Sequence, residues 1–550
     1  MRIALGQFNA VVGDLNGNAG KIRKIYDRAI REEVDLLVFP ELAVCGYPPE
    51  DLVLKKHFLN ECMASIKKIA ADCPDTTLIV GFVETVEGAS YNSAAVLQSG
   101  KVVKTYHKVR LPNYGVFDER RYFQSGNEPL VIGVAGMSIA VTICYDIWDI
   151  EWLTGFLKSS GTIQLIVNIS ASPFHYGKIQ IREEVVGRCA KKFNCAVPYC
   201  NLVGGQDEIV FDGRSILADS KGRTITKARA FEEDLLIADI DAETDGYIKI
   251  EPLQTAAPQP VSLIDEIYQA LVLGTRDYTR KNGFEKVLLG LSGGIDSSVV
   301  AAVAVAALGA ENVIGITMPT HFNRPETIND AEKLAKNLGI EFLTIPIQSV
   351  LKKFDDSLKT IPGWQSEGIA YENLQARIRG TILMSLSNST GALVLTTGNK
   401  SETAVGYSTL YGDTAGGFAV IKDVPKTIVY KLAEHINEIS DGQVIPADVL
   451  NRPPSAELKP DQKDTDSLPD YDMLDKILRG YVEKDKSAKE LVDSGLPKEV
   501  VLHVLRMVDK NEYKRRQSPP GVKITPKAFG RDRRLPITNR YSSVSDRGIL

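Results

Sequence analysis

The 550-residue chain contains no apolar run close to the roughly 20 residues that a membrane-crossing helix needs. Its longest, residues 299–308, has the length of a buried helix. A net charge of −5 leaves no excess of basic residues, which argues against a protein that holds nucleic acid over its whole surface. The opening residues 1–8 lack the longer apolar core and cleavage site of a secretion signal, and predict a cytoplasmic protein with no membrane partner. Cysteine is absent after Cys200. The seven present, Cys45, Cys62, Cys73, Cys144, Cys189, Cys195 and Cys200, are odd in number and form no C-x-x-C pair. Free thiols are therefore expected, in place of a disulfide framework or a zinc site. Their confinement to one half says that the two halves differ in chemistry or ancestry. No internal repeat is visible.

What is present is a soluble composition, 25% charged and 44% hydrophobic, in a chain too long for one ordinary domain. Up to about residue 241 short apolar segments alternate with amphipathic ones. The pattern predicts strands over 2–8, 36–39, 77–83, 138–144, 164–169, 196–201 and 235–240, with helices over 19–33 and 179–193: a layered α/β core. Three residues stand at or near predicted strand ends: Glu41 after residues 36–40, Lys108 after Tyr106-His107, and Cys144 after residues 139–143. Singly, each has an ordinary explanation: a cap, a solvated cation, a small buried hydrophobe. Together they suit amide cleavage, in which a thiol attacks the carbonyl, a carboxylate takes the thiol proton and a cation stabilises the developing oxyanion.

With F-P-E at Glu41, H-K at Lys108 and I-C-Y-D at Cys144, residues 1–241 resemble the nitrilase superfamily. The resemblance implies an αββα sandwich and hydrolysis through a thioester, with Glu41 the base, Lys108 the oxyanion partner and Cys144 the nucleophile. Residues 111–119 and 170–178 are similar to glutaminase members, which implies that Tyr114, Ser172 and Lys178 hold glutamine. Lys178 could equally open the helix from residue 179. Glu119 is either an auxiliary carboxylate or half of an ordinary ion pair.

Residues 246–260, with prolines at 252, 258 and 260, read as a linker between a domain of residues 1–245 and another of 261–550. The second opens with a helix over 263–281. A strand then runs into Gly290-Leu291-Ser292-Gly293-Gly294-Ile295-Asp296-Ser297, and a helix follows to Leu308. Glycines that let backbone N–H groups turn inward, hydroxyls and a helix N-terminus make this loop a phosphate cradle. Asp296 fits it if a divalent cation, Mg2+, sits between carboxylate and phosphate. No lysine follows the glycines, so the loop is not the GxxxxGK type. Strands expected over 313–318, 342–347 and 393–397, with helices over 326–338 and 371–385 between them, imply a doubly wound parallel sheet with ligands at the strand C-termini. Thr397, Lys400 and Glu402 follow one strand end, and Asn373 and Arg377 share a helix face. Residues 450–469 read either as a flap over the site or as a plain surface loop.

The loop resembles that of the ATP pyrophosphatases. With E-N-L-Q-A-R at 372–377, T-T-G-N-K-S-E at 396–402, Y-G-D-T at 411–414 and V-P-K at 424–426, residues 261–535 resemble the NAD synthetases. The resemblance implies ATP at the loop and Thr397, deamido-NAD at Asn373, Glu402 and Lys514, Mg2+ at Asp296 with Glu402, phosphate or adenylate contacts from Lys400 and Lys426, and a homo-oligomer. The joint reading is amidation of deamido-NAD through an adenylate, with ammonia from glutamine passed between the halves. The rivals are an amidotransferase acting on another carboxylate and an RNA-modifying protein with a pyrophosphate loop, docking through the basic stretch from Lys514 to Arg534.

Overall fold

The computed structural model describes residues 1–243, 247–440 and 442–541, together with the backbone of 544–545 and 548–549. The chain forms two compact units, Met1–Val261 and Ser262–Leu550.

The first unit contains β1 (Arg2–Gln7), β2 (Leu36–Val38), β3 (Thr77–Val86), β4 (Ala89–Gln98), β5 (Lys101–His107), β6 (Leu130–Val134), β7 (Met137–Ile143), β8 (Leu165–Ser170), β9 (Val197–Asn201), β10 (Val203–Gln206), β11 (Ile209–Asp212), β12 (Ile216–Ala218), β13 (Thr224–Lys227), β14 (Asp234–Ala242) and β15 (Ile248–Pro252). One sheet has the order β15-β14-β1-β2-β3-β4-β5 and the other β13-β12-β9-β8-β7-β6, while β10 and β11 form a separate hairpin. Alternation along each strand sorts the side chains. Ile3 and Leu5 of β1 join Ile139 and Val141 of β7 in a core between the sheets, whereas Ala4 faces outward and packs with Ile22 and Tyr26. Those two residues belong to the helix Leu15–Arg31. The outer face of the second sheet is covered likewise, with Ile166 and Val197 packed on Val185 and Cys189 of the helix Lys178–Phe193. Two sheets between two helical layers are the expected αββα sandwich, and burial on both faces explains why the central strands read as unbroken apolar runs.

The hairpin strand β5 has no clear apolar signal, being largely polar and half exposed, and its partner β4 is apolar only over residues 94–97. Ile248–Pro252 forms the edge strand β15 against β14, so residues 246–260 are not all linker, and the first unit runs to Val261. The expected boundary at residue 245 lies outside the described residues.

In the second unit β16 (Val287–Gly290), β17 (Val313–Thr317), β18 (Glu341–Thr344), β19 (Leu393–Thr396) and β20 (Phe418–Ala419) form a sheet of order β18-β17-β16-β19-β20, parallel throughout. The chain builds outward from β16 in one direction and then in the other. The switch point thus lies beyond the C-termini of β16 and β19, where such sheets bind ligands. The strand expected over 342–347 is shorter and begins one residue earlier, and two-residue β20 is too short to carry a periodicity. The helix Ile295–Leu308 buries Val299, Val300 and Val303 completely, each contributing about 1.5 kcal/mol or more. Among the described residues no helix is long and apolar enough to cross a membrane.

Candidate active sites

In the first unit, Glu41 sits on the turn after β2. There Gly81 of β3 approaches so closely that an added Cβ would lie 2.3 Å from the Pro40 carbonyl oxygen. Lys108 follows β5 directly, and Cys144 follows β7 in the left-handed region at φ 45°. For a residue other than glycine that conformation costs about 1–3 kcal/mol, and surrounding structure must hold it. Asp146 does so. Its carboxylate accepts from the Ile143 N–H at 2.9 Å, the Arg110 N–H at 2.8 Å and the Tyr106 hydroxyl at 2.9 Å, tying the cysteine turn to the chain leaving β5.

Lys108 Nζ donates to Glu41 Oε1 at 2.6 Å and to Glu119 Oε1 at 2.8 Å, and all three side chains are buried. Glu41 Oε1 also accepts from Asn92 Nδ2 at 2.7 Å, and its Oε2 accepts from the Ala171 N–H at 2.9 Å. The Tyr47 hydroxyl donates to Glu119 Oε1 at 2.9 Å, while the buried Glu119 Oε2 has no hydrogen-bond partner. Burial lowers the Lys108 pKa, but Glu119 and Glu41 outweigh it and hold the lysine charged. Burial pushes the Glu119 carboxyl up to about 7 against the pull of Lys108. It also raises the Cys144 thiol well above its usual value, with Glu41 adding to the effect, so the resting sulfur is protonated and needs a base to attack.

Of the residues expected at glutamine, Tyr114 is exposed. Its ring lies 5.8 Å from Tyr145, which stacks at 6.1 Å on Trp148, and Lys178 Nζ lies 4.3 Å over Trp148. These side chains form one row, in which Tyr145 is the residue that follows Cys144. Lys178 is also the first residue of its helix, behind left-handed Gly177, so both readings of it hold. Ser172 is buried in the turn after β8, next to the Ala171 N–H that holds Glu41, and its own N–H donates to Asn201 Oδ1 at 2.9 Å.

In the second unit a cleft of about 310 Å3 opens at the switch point and is lined by the whole Gly290–Ser297 loop together with Thr397 and Glu402. The loop is self-bonded. Gly294 N–H donates to Ser292 Oγ at 3.2 Å, and Ser297 Oγ donates to the Gly294 carbonyl at 3.0 Å. Gly293 has φ 77°, and a Cβ there would lie 2.1 Å from the Thr327 carbonyl oxygen, so glycine is required. Asp296, in the first turn of the helix Ile295–Leu308, accepts from Asn399 Nδ2 at 3.0 Å and from Lys426 Nζ. Lys426 also lies 3.5 Å from Glu402 Oε1. Burial lowers the Lys426 pKa, and Asp296 and Glu402 more than reverse it; burial pushes the Glu402 carboxyl up to about 8 against Lys426.

Residues 450–469 are a wall of this cleft, not a plain surface loop. Glu457 accepts from Thr327 Oγ1 at 2.8 Å and Asn323 Nδ2 at 3.3 Å, Gln375 Nε2 donates to the Leu458 carbonyl at 2.9 Å, and Arg452 pairs with Asp330. Arg379 lines the cleft although the sequence did not single it out; burial lowers its pKa to about 10, with Glu457 opposing. It lies two residues after the E-N-L-Q-A-R string on the helix Gly368–Thr390, and that spacing was the only available signal.

Lys400 does not reach the cleft. Its ammonium is buried against Asp423 and Glu483, both at 2.9 Å, Thr525 Oγ1 at 2.6 Å and the Lys527 carbonyl at 3.0 Å. One helical step from Asn399 turns it into the interior, which corrects the expected phosphate contact. Asn373 and Arg377 stand back from the cleft, Asn373 accepting from Thr409 Oγ1 at 2.6 Å and Arg377 donating to the Leu410 carbonyl at 3.2 Å. Lys514 lies in a small adjoining pocket with Glu402, donating to the carbonyls of Gly406 at 2.7 Å and Ser408 at 2.8 Å.

Among the described residues no three or more His, Cys, Asp or Glu side chains gather as a protein-only metal site. Mg2+ needs only one or two carboxylates when substrate phosphates complete its shell. Asp296 and Glu402, drawn towards one cation by Lys426, supply that oxygen donor set and fit it.

The family described as carbon-nitrogen hydrolase matches residues 2–249, and the family described as NAD synthase matches residues 267–518. Two proteins named glutamine-dependent NAD(+) synthetase are each 46% identical to this chain: that of Thermotoga maritima, over 98% of this chain and 99% of its own, and that of Aquifex aeolicus, over 98% and 100%. The solved glutamine-dependent NAD+ synthetase of Acinetobacter baumannii, in complex with ADP, superposes with a TM-score of 0.78 at 42% identity, covering 99% of both chains. With both halves matched over nearly their whole length, the chain belongs to the glutamine-dependent NAD(+) synthetase family.

Proposed function

We propose that the chain makes NAD from deamido-NAD, ATP and glutamine at two separate sites. The observation that carries this reading is the coexistence, in one chain of that family, of a buried Glu41–Lys108 pair at 2.6 Å beside Cys144 and a glycine-serine phosphate loop at a parallel-sheet switch point.

At the first site, Cys144 Sγ attacks the side-chain amide carbon of glutamine while Glu41 takes the thiol proton. Lys108 stabilises the oxyanion as the carbonyl opens. Glu41 returns the proton to the departing nitrogen, ammonia leaves, and a thioester remains. Water, activated by the same carboxylate, then releases glutamate and the free thiol. Tyr114, Ser172 and Lys178 would orient the amino-acid end of glutamine, with Glu119 as a second carboxylate near the amide.

At the second site, the loop from Gly290 to Ser297 and Thr397 would hold ATP, and Asn373, Glu402 and Lys514 deamido-NAD. The nicotinate carboxylate attacks the α-phosphorus and pyrophosphate leaves. Ammonia then displaces AMP from the adenylate to form the amide. Mg2+ held by Asp296 and Glu402 would neutralise phosphate charge. Lys426, which is paired with those carboxylates and lines the same cleft, would compensate the charge of the adenylate. The wall of residues 450–469 would exclude water, which competes with ammonia. The family reading also extends to passage of ammonia between sites and to a cytoplasmic homo-oligomer.

The test is NAD formation from deamido-NAD, ATP and Mg2+ with either glutamine or ammonia. Cys144→Ala should lose the glutamine reaction and keep the ammonia reaction within about twofold of wild type. If wild type makes no NAD from either nitrogen source, the acceptor is wrong.

A further inference from the structure

The catalytic base is held from two sides. Lys108 and Asn92 fix Oε1 of Glu41, while Oε2 is held by a backbone group, the Ala171 N–H at 2.9 Å. That N–H belongs to the turn leaving β8, which also carries Ser172, so the position of this turn sets both the base and one wall of the pocket assigned to glutamine. Three residues outside the chemistry determine where the turn sits.

Asn201, the last residue of β9 and the register partner of Ser170, is fully buried. Its Oδ1 accepts the Ser172 N–H at 2.9 Å, and its Nδ2 donates to the Gly213 carbonyl at 2.9 Å. These two partners fix the orientation of the amide, since one requires an acceptor and the other a donor. Its own N–H donates to Ser215 Oγ at 3.0 Å. Ser215 is in turn bound through both its N–H, at 3.0 Å, and its hydroxyl, at 2.9 Å, to Oε1 of the buried Gln7. Gln7 Nε2 donates to the carbonyls of Arg229 and Glu232, each at 2.7 Å. Gly213, at φ 64°, passes so close that a Cβ there would lie 2.2 Å from Gln7 Nε2. The chain Gln7–Ser215–Asn201–Ser172 therefore runs from β1 of one sheet to the end of β8 in the other and stops one residue from the group that holds Glu41.

We propose that Asn201 is a positioning residue for amide hydrolysis: by accepting the Ser172 N–H it sets the Ala171–Ser172 turn, and through it both the aim of Glu41 and the fit of glutamine. Gln7 and Ser215 hold Asn201 in place. This rests on the glutaminase reading above. Loss of the acceptor frees the turn, and the Ala171 N–H no longer fixes the direction of the base.

The experiment measures glutamate release, as kcat and KM, together with ammonia-driven NAD formation, in wild type, Asn201→Ala and Asn201→Asp. For Asn201→Ala the expected result is a kcat lower by about tenfold or more and a severalfold higher glutamine KM, with ammonia-driven activity within twofold of wild type. Asn201→Asp keeps the acceptor for Ser172 and should recover much of the loss. A structural role reverses that order, because a buried carboxylate facing the Gly213 carbonyl harms folding more than alanine does. Asn201→Asp no better than Asn201→Ala, or Asn201→Ala with unchanged kcat and KM, overturns the proposal. Wild type that releases no glutamate overturns the glutaminase reading and this one with it.

Discussion

The two sites solve opposite electrostatic problems with the same pair of groups. In each, one lysine lies between two carboxylates: Lys108 between Glu41 and Glu119, and Lys426 between Asp296 and Glu402. In the first unit the carboxylate side chains are 1% and 4% exposed, whereas in the second both are 18% exposed at the edge of an open cleft. Glutamine has no net charge and the amide that is attacked is neutral, so the first site is complete and nearly dry before it arrives. A nucleotide brings several negative charges, and the more exposed ion pair of the second is open to exchange with them. Burial sets how much each lysine contributes to folding, as distinct from chemistry.

The same substitution at both positions breaks that comparison most sharply. Lys108→Met leaves two buried carboxylates facing each other without a cation. It should cost about 3–5 kcal/mol in urea unfolding and lower glutamate release by about a hundredfold to a thousandfold. Lys426→Met leaves carboxylates that water can reach, and should cost only about 1–3 kcal/mol while suppressing NAD formation from both nitrogen sources. Equal stability losses at the two positions would refute the assignment of one site as dry and the other as exchangeable.

The next largest effect concerns backbone geometry. Gly293→Ala forces a Cβ to within 2.1 Å of the Thr327 carbonyl oxygen at φ 77°, so the loop must open. The KM for ATP should rise by about tenfold or more, and glutamate release by the first unit should stay near wild type. The Cys144 turn is also left-handed, but there the strain is carried by a residue the chemistry needs.

Where the charges could be read in the sequence, it was because each stands beside a strand end. Glu41 and Cys144 are visible as polar residues closing apolar runs, Lys108 only through its H-K string after a largely polar strand, and the glycine-serine loop is visible between strand and helix. The groups that aim them are not visible in this way. Asn92, Asp146 and Asn201 are single polar residues within strands or turns, and their partners lie far off in sequence: Asn92 bonds Glu41 51 residues away, and Asp146 bonds the Arg110 N–H 36 residues away. Only pairing of distant strands brings them together. Lys400 shows the converse error. Its neighbours Asn399 and Glu402 serve the cleft, but a rotation of about 100° per residue carries Lys400 to the other side of the same turn.

Glu119 gives the first site a pH dependence that lies below the one Glu402, lifted to about 8, gives the second. Burial lifts the Glu119 carboxyl from 4.5 to about 7, so between those values the folded protein holds a proton that the unfolded chain releases. Raising the pH through that window therefore removes stability. Glu119→Gln lacks this titration, and its unfolding free energy should fall less than that of wild type between pH 4.5 and 7. A parallel pH dependence in variant and wild type would place the titration elsewhere.

The smallest expected effect tests whether the wall of the second site acts as part of that site. Glu457 is buried and bonded to Thr327 and Asn323, and the Thr327 carbonyl abuts Gly293 of the loop. Glu457→Gln keeps the shape of the side chain but replaces one acceptor oxygen with a donor, so the Thr327 hydroxyl must turn to accept and the charge facing Arg379 is lost, at about 1 kcal/mol. If the wall is docked mainly by these bonds, the KM for ATP should rise about twofold to fivefold while glutamate release is untouched. If the KM does not move, Arg452 with Asp330 and Gln375 with Leu458 hold the wall without Glu457. The cleft would then share the redundancy of the dry site, where Glu41 alone has three hydrogen-bond donors.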